Sequence, residues 1–152
     1  MGRVMAQGTF DVLHPGHLHY LRESAALGDE LVVIIARDAR VSERKDLLMD
    51  EESRRMVVEA LEMVDRAVLG STDSIFDSVR RFEPAVITLG YDQQFDEAQL
   101  AADLAGAGFP DVEVVRIGPY RGAGPRSSSE VKARLKEHAG PDAFHSLSDP
   151  DG

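Results

Sequence analysis

Two histidines stand three residues apart in the segment GTFDVLHPGH, which covers residues 8–17. At the start of a helix, side chains with this spacing lie on one face, so both rings can point to one spot. Imidazole donates hydrogen bonds near pH 7 in its neutral and charged forms. His14 and His17 could therefore stabilise the negative charge that develops on a phosphate under attack. We predict that they are catalytic, with metal ligation and an ordinary surface position as the alternatives.

The residues around this pair are typical of a loop that binds phosphate. Gly8 follows a predicted strand and allows either a close backbone approach or a positive φ. Thr9 supplies a hydroxyl and a backbone N–H where a phosphate would lie. Pro15 and Gly16 lead into a helix whose first N–H groups are free to bind an anion. His19 lacks this context, and we predict that it lies on the helix surface.

The elements that must position these residues alternate between strand and helix. Several predicted strands are continuously apolar, which is typical of parallel strands covered on both faces. The sequence therefore predicts a doubly wound, Rossmann-like α/β fold, with a five-stranded parallel sheet and helices on both faces. Ligands of such folds bind beyond the carboxyl ends of the strands. The five predicted strands are Val4–Ala6, Leu31–Ala36, Arg66–Leu69, Ala85–Leu89 and Val112–Ile117.

Length and composition narrow the class of protein. A chain of 152 residues is typical of one domain, which we predict over residues 1–138. Residues 139–152 form a polar segment with Pro and Gly, predicted to be a disordered tail. The chain has no cysteine, which excludes thiolate catalysis and cysteine-based metal sites. No metal-binding set of protein side chains is predicted.

The charge balance bears on partners and location. Asp and Glu number 27 against 17 Lys and Arg, which argues against nucleic acid as a partner. The acid excess fits either an ordinary solvated surface or adaptation to high salt. No apolar run is long enough to span a membrane, and no signal peptide precedes the first predicted strand. We therefore expect no membrane partner and a cytoplasmic location.

The first motif, GTFDVLHPGHLHYL, resembles the signature of the cytidylyltransferase-like nucleotidyltransferases, whose HxGH motif transfers nucleotidyl groups with a divalent metal, usually Mg²⁺. The segments LGDELVVIIARD, RRMVVEALEMVDRAVLGS, ITLGYDQQFDE, VVRIGPY and SSSEVK together resemble the archaeal-type FAD synthases. This resemblance covers the chain from about Arg3 to the last helix. It implies that ATP donates AMP to FMN, giving FAD and pyrophosphate, and that the protein forms a homodimer.

The resemblance also implies roles for individual residues. Lys45 would be a third catalytic residue that closes onto the triphosphate, and Arg54 would contact a substrate phosphate. Asp92 and Tyr120 would line the nucleotide pocket. The alternative for Asp92 is a turn residue or helix cap, and the alternative for Tyr120 is a role in packing. The alternative for Lys45 is a solvated loop charge. The alternative for Ser127, Ser128 and Ser129 is a plain helix cap. The complete set of ATP-binding residues implied is Thr9, Phe10, His14, Pro15, Gly16, His17, Asp92, Tyr120, Ser127, Ser128 and Ser129.

Two rival functions stay open at this point. The nearer one is a cytidylyltransferase acting on glycerol 3-phosphate or another polyol phosphate, or another adenylyltransferase of the superfamily. Glycerol-3-phosphate cytidylyltransferases are similar at the first motif, but they typically carry Arg-Thr-Glu-Gly-Ile-Ser-Thr-Thr where this chain has RGAGPRSSS at residues 121–129. This difference weakens a preference for CTP. The other rival is a nucleotide-binding protein without catalytic activity, which the intact histidine pair disfavours.

Overall fold

The strands form where the apolar stretches lie, and the helices begin where side chains can cap them. The computed structural model describes residues 2–41, 47–125 and 128–138. Lys45, Ser127 and the segment 139–152 lie outside the described residues. The strands are Arg3–Gly8 (β1), Glu30–Ile35 (β2), Arg66–Leu69 (β3), Val86–Leu89 (β4) and Glu113–Arg116 (β5). The helices are Pro15–Ala25 (α1), Glu51–Glu59 (α2), Ile75–Phe82 (α3), Glu97–Gly106 (α4) and Ser128–His138 (α5), with a 3₁₀ turn at Asp38–Arg40.

All five strands are parallel and lie in the order β3-β2-β1-β4-β5, which confirms the predicted sheet. β1 lies at the centre, where Met5 pairs with Val32 of β2 on one side and with Ile87 of β4 on the other. The chain builds outward from β1 to β3 and then returns to the opposite side of β1. The strand order therefore reverses between β1 and β4, the position where ligands bind in folds of this kind.

Helices cover both faces of the sheet, which also confirms the prediction. Val4 and Ala6 of β1 face one core, which includes Leu21 of α1 and Val58 of α2. Met5 points the other way, into a core built with α3 and α4. Strands buried on both faces need apolar residues at every position, and this explains the continuous apolar runs. Among the described helices, none has the length and apolar content needed to cross a bilayer.

A buried polar network fastens α1 to the sheet. The hydroxyl of Tyr20 donates to the carbonyl of Thr88 in β4 at 2.8 Å and accepts the N–H of Gln7 in β1 at 3.2 Å. The hydroxyls of Ser24 and Thr88 lie 2.8 Å apart. Burial raises the pKa of Tyr20 to about 12, so the phenol stays protonated and keeps these bonds. The network fixes the height of α1, and therefore of the histidines at its start, above the central strands.

Candidate active site

The loop after β1 turns back on itself at Phe10. This residue has a φ of 54°, in the left-handed region that side chains other than glycine rarely adopt. Its ring is 3% exposed and folds over Gly8, where a Cβ atom would lie 2.8 Å from the ring. Gly8 is therefore required for a close approach and not for a positive φ. The turn aims the following residues at the carboxyl end of β1.

The two histidines pack against each other at the start of α1. His14 caps the helix, and its Nδ1 accepts the backbone N–H of His17 at 3.4 Å. Their rings stack with centroids 3.8 Å apart, and the Phe10 ring lies 5.0 Å from that of His17. Because Nδ1 of His14 is an acceptor, the proton of the neutral ring lies on Nε2. That Nε2 and the Nδ1 of His17 are buried and have no hydrogen-bond partner within the described part of the chain.

Both histidines are held in the neutral form at pH 7. Burial, together with the nearby His14, lowers the pKa of His17 to about 3, and a hydrogen bond with the Val12 backbone opposes both effects. Burial also lowers the pKa of His14, although the carboxylates of Asp92 and Glu130 oppose this shift. An anion placed beside the rings would raise both values. The pair is thus built to meet negative charge that a ligand brings.

A cleft of about 270 Å³ opens above the pair, at the point where the strand order reverses. We call it the first cleft. It brings together eight of the predicted site residues, which are Thr9, Phe10, His14, Gly16, His17, Asp92, Tyr120 and Ser129. Pro15 stands in the first turn of α1 without lining the cleft, and Ser128 is the first residue of α5. Most of the predicted set therefore converges on one place.

Sequence reasoning missed several residues of this cleft. The side-chain amide of Gln93 donates to the carbonyl of Gln7 at 2.9 Å and accepts the N–H of Gly90 at 3.1 Å, so it ties the loop after β4 to β1. His19, which the sequence predicts to be a plain surface residue, lines the cleft instead, with Nε2 3.1 Å from the carbonyl of Gly118. No local signal marks this contact, because the two residues are far apart in the sequence.

Arg54 does not reach the first cleft, so its predicted contact with a substrate phosphate is not what the structure displays. Its side chain is fully buried, at 0% exposure. The guanidinium donates to the carbonyl of Thr9 at 2.8 Å and to that of Met49 at 3.2 Å, and it pairs with Asp38 at 2.5 Å. Arg54 thus acts on the site through the Thr9 loop, whose backbone it holds in place.

A second cleft, of about 340 Å³, lies beside the first at the carboxyl ends of β1, β2 and β3. The two clefts share four lining residues, Gln7, Gly8, Thr9 and Gln93. The wall of the second cleft includes the apolar side chains of Ile34, Ile75 and Phe95, and Arg37 and Arg40 also line this cleft. Phe95 is 45% exposed, so its ring is accessible to a ligand in this cleft.

The described residues contain no group of three or more His, Asp or Glu side chains arranged to hold a metal ion.

A doubly wound sheet with a histidine pair at its switch point suits the transfer of a nucleotidyl group. The sequence model of the cytidylyltransferase-like family matches residues 5–134. The chain is 47% identical over 135 residues to the FAD synthase of Methanolacinia petrolearia, covering 89% of this chain and 90% of that protein. It is 55% identical over 117 residues to the FAD synthase of Methanothrix thermoacetophila, covering 77% and 81%. The chain belongs to the cytidylyltransferase-like family and, within it, to the FAD synthases.

Solved structures share the fold of this chain. The crystal structure of a lipopolysaccharide core biosynthesis protein from Thermoplasma volcanium matches with a TM-score of 0.74 and 48% identity, over 78% of this chain and 98% of that one. Pantothenate synthetase from Thermus thermophilus matches with a TM-score of 0.60 at 18% identity, over 93% and 63%. The second likeness concerns the fold alone.

The buried position of Arg54 predicts that its loss affects folding more than phosphate binding. Arg54→Met leaves the carbonyls of Thr9 and Met49 without a donor and should lower the free energy of unfolding by about 2–3 kcal/mol. Arg55→Met is the matched control, since Arg55 lies next in α2 and pairs with Glu52 and Glu59 at the surface. Urea unfolding of both variants should show a much smaller loss for the control. If Arg54→Met had normal stability but bound nucleotide more weakly, the prediction that Arg54 contacts a substrate phosphate would be favoured instead.

The neutral state of His17 predicts a dependence of stability on pH. Its folded pKa of about 3 lies below the ordinary 6.5, so the unfolded chain binds more protons between these values. The free energy of unfolding should fall as the pH drops below 6.5, with up to about 1.4 kcal/mol per pH unit from this group. His17→Asn should reduce that slope in urea unfolding between pH 7 and 5, and His19→Asn should keep it. An unchanged slope in His17→Asn would contradict the assignment.

Proposed function

We propose that this chain transfers AMP from ATP to FMN. An oxygen of the FMN phosphate attacks the α-phosphorus of ATP, a new P–O bond forms, and the bond to the pyrophosphate oxygen breaks. The products are FAD and pyrophosphate, and no covalent enzyme intermediate is needed. One observation carries the proposal: two clefts meet at Gly8 and Thr9, directly beside the stacked histidines. The names of the relatives, FAD synthases, are consistent with it.

In this proposal ATP occupies the first cleft. Its base and ribose lie toward Asp92 and Tyr120, and its phosphates lie toward His14, His17 and the start of α1. The free N–H groups of a helix start favour an anion there. Ser129 of α5 lines the same cleft. Lys45, Ser127 and Ser128 remain predicted contacts of the triphosphate, and residues 1–138 remain the predicted domain.

The histidines supply the proposed catalysis. Nε2–H of His14 donates to an α-phosphate oxygen, where charge builds up as the FMN phosphate attacks. The triphosphate brings negative charge beside His17 and raises its pKa, so that Nδ1 takes up a proton and becomes a second donor. Both donors are in place before the reaction, because stacking and the contact with Phe10 fix the rings. Little reorganisation is then needed in the transition state.

FMN occupies the second cleft in this proposal. The wall with Ile34, Ile75 and Phe95 suits the flat, largely apolar isoalloxazine ring, which an aromatic side chain can stack against. Arg40 is exposed at the rim, where it can meet polar groups of the ligand. The FMN phosphate would then point to Thr9, where the clefts join and the α-phosphate of ATP lies.

The proposal also includes the metal ion, the class of substrate, the oligomeric state and the location. ATP enters as its Mg²⁺ complex, with the ion bound by the phosphates, because Mg²⁺ prefers phosphate oxygens and water. The acidic composition, with a formal net charge of −10, supports small-molecule substrates over nucleic acid. A homodimer and a cytoplasmic location remain predictions from the resemblance and the sequence.

The proposal predicts FAD only from ATP and FMN. Pyrophosphate release and FAD fluorescence should be measured with ATP or CTP, each against FMN or glycerol 3-phosphate, with Mg²⁺ at low and high KCl. His14→Asn should lower kcat by about 10²–10³-fold, since asparagine can still cap α1 but lacks Nε2. Turnover with CTP and glycerol 3-phosphate would favour the cytidylyltransferase alternative. No pyrophosphate from any pair would favour a non-catalytic binding protein, and near-normal His14→Asn turnover would remove His14 from the mechanism.

The two clefts predict separable effects on the two substrates. Phe95→Ala should raise the KM for FMN about tenfold or more, because it removes the aromatic face of the second cleft. It should leave the KM for ATP nearly unchanged. Tyr91→Ala is the reciprocal control, since Tyr91 is similarly exposed but lines only the first cleft. Steady-state kinetics would contradict this assignment if Phe95→Ala raised the KM for ATP instead.

A further inference from the structure

Asp11 connects three separate parts of the chain just behind the first cleft. It lies between β1 and α1 and is only 2% exposed. Its carboxylate accepts the backbone N–H groups of Leu48 and Met49, both at 2.9 Å. Its Oδ2 lies 2.7 Å from Nζ of Lys132, which belongs to α5. Asp11 itself does not line the first cleft.

Asp11 and Lys132 form an ion pair that is partly shielded from water. Burial raises the pKa of Asp11, but the ammonium of Lys132 and the two backbone N–H groups outweigh this effect and hold the pKa below its usual value. The carboxyl group is therefore ionised at neutral pH. The Lys132 side chain is 22% exposed, so water screens the pair only in part.

Every residue of α5 whose side chain is described is half-buried or exposed. None of its described residues belongs to either core of the sheet, and Leu135 is 55% exposed. The contact between Lys132 and Asp11 thus ties α5 to the loop between β1 and α1 in a region outside both cores.

The amino end of α5 faces the histidine pair. Ser129 is one helical turn before Lys132 and lines the first cleft. Glu130 is close enough for its charge to raise the pKa of His14 against the effect of burial. His14 is 6% exposed, and its Nε2 is one of the buried atoms in this cleft without a partner among the described residues. The start of α5 is thus one wall of the place where a ligand would meet the histidines.

We propose that Lys132 is a positioning residue whose ion pair with Asp11 seats the amino end of α5 against the first cleft and so sets the affinity for the polyphosphate part of the nucleotide. The inference rests on the proposed function for the identity of the ligand. Lys132 touches neither substrate in this scheme. It acts through Ser129 and the first N–H groups of α5, which must lie near the β- and γ-phosphates to bind them.

The experiment compares Lys132→Met with Lys136→Met. Lys136 is one turn further along the same helix and is exposed, so the control removes the same charge by the same substitution. Calorimetric titration with Mg·ATP and with AMP should be done well below the unfolding temperature. Lys132→Met should weaken ATP binding about tenfold or more and leave AMP binding unchanged, since AMP lacks the β- and γ-phosphates. Lys136→Met should change neither, and Lys132→Arg should restore most of the ATP affinity.

The other outcomes separate this inference from the proposed function. Unchanged ATP affinity in Lys132→Met, or equal losses for ATP and AMP, would overturn the positioning role. An equal loss of ATP affinity in Lys136→Met would also overturn the positioning role, because the net charge of α5 would then explain the effect. FAD formation by the unmodified protein tests the proposed function by itself. If the unmodified protein formed no FAD but Lys132→Met still lost ATP binding selectively, the proposed reaction would be wrong and the positioning role of Lys132 would stand.

Discussion

The site depends on the central place of β1 in the sheet. A strand with parallel neighbours on both sides and helices on both faces is held along its whole length, so the loop that follows it starts from a fixed point. The chain adds β2 and β3 on one side and β4 and β5 on the other. The loops on the two sides therefore diverge, and a cleft opens on each side of the loop after β1. In the proposed reaction, one substrate would lie on each side of this common loop.

Desolvation is the second constraint on the chemistry. The two histidine rings stack on each other at the start of α1, and Phe10 packs against His17. Burial lowers the pKa of both rings. Neutral imidazoles cost less to bury than charged ones, so the protein can hold two of them in contact. Their full donor capacity then develops only when an anion arrives. The nucleotide would thus complete the electrostatics of its own site.

Buried charges hold the loops that surround the clefts. Arg54 fastens the Thr9 backbone from below, and Asp11 gathers the segment at Leu48 and the helix α5. Ion pairs of this kind contribute little net stability but specify one geometry, because each charge is costly to leave unpaired. Catalytic groups need such a fixed geometry more than they need stability. In this protein the loop after β1 is supported by Arg54 and Asp11, which line neither cleft.

The sequence by itself determined the sheet, the helices on both faces and the histidine pair. These features follow from local chemistry, since apolar runs define buried strands and His14 and His17 are neighbours on one helical turn. It also carried the family, through motifs of fixed spacing. Only the tertiary structure decided that Arg54 points inward and that His19 lines the cleft. Their roles depend on partners from distant parts of the chain, such as Gly118, and a one-dimensional pattern does not encode which of a side chain's possible partners will be near it.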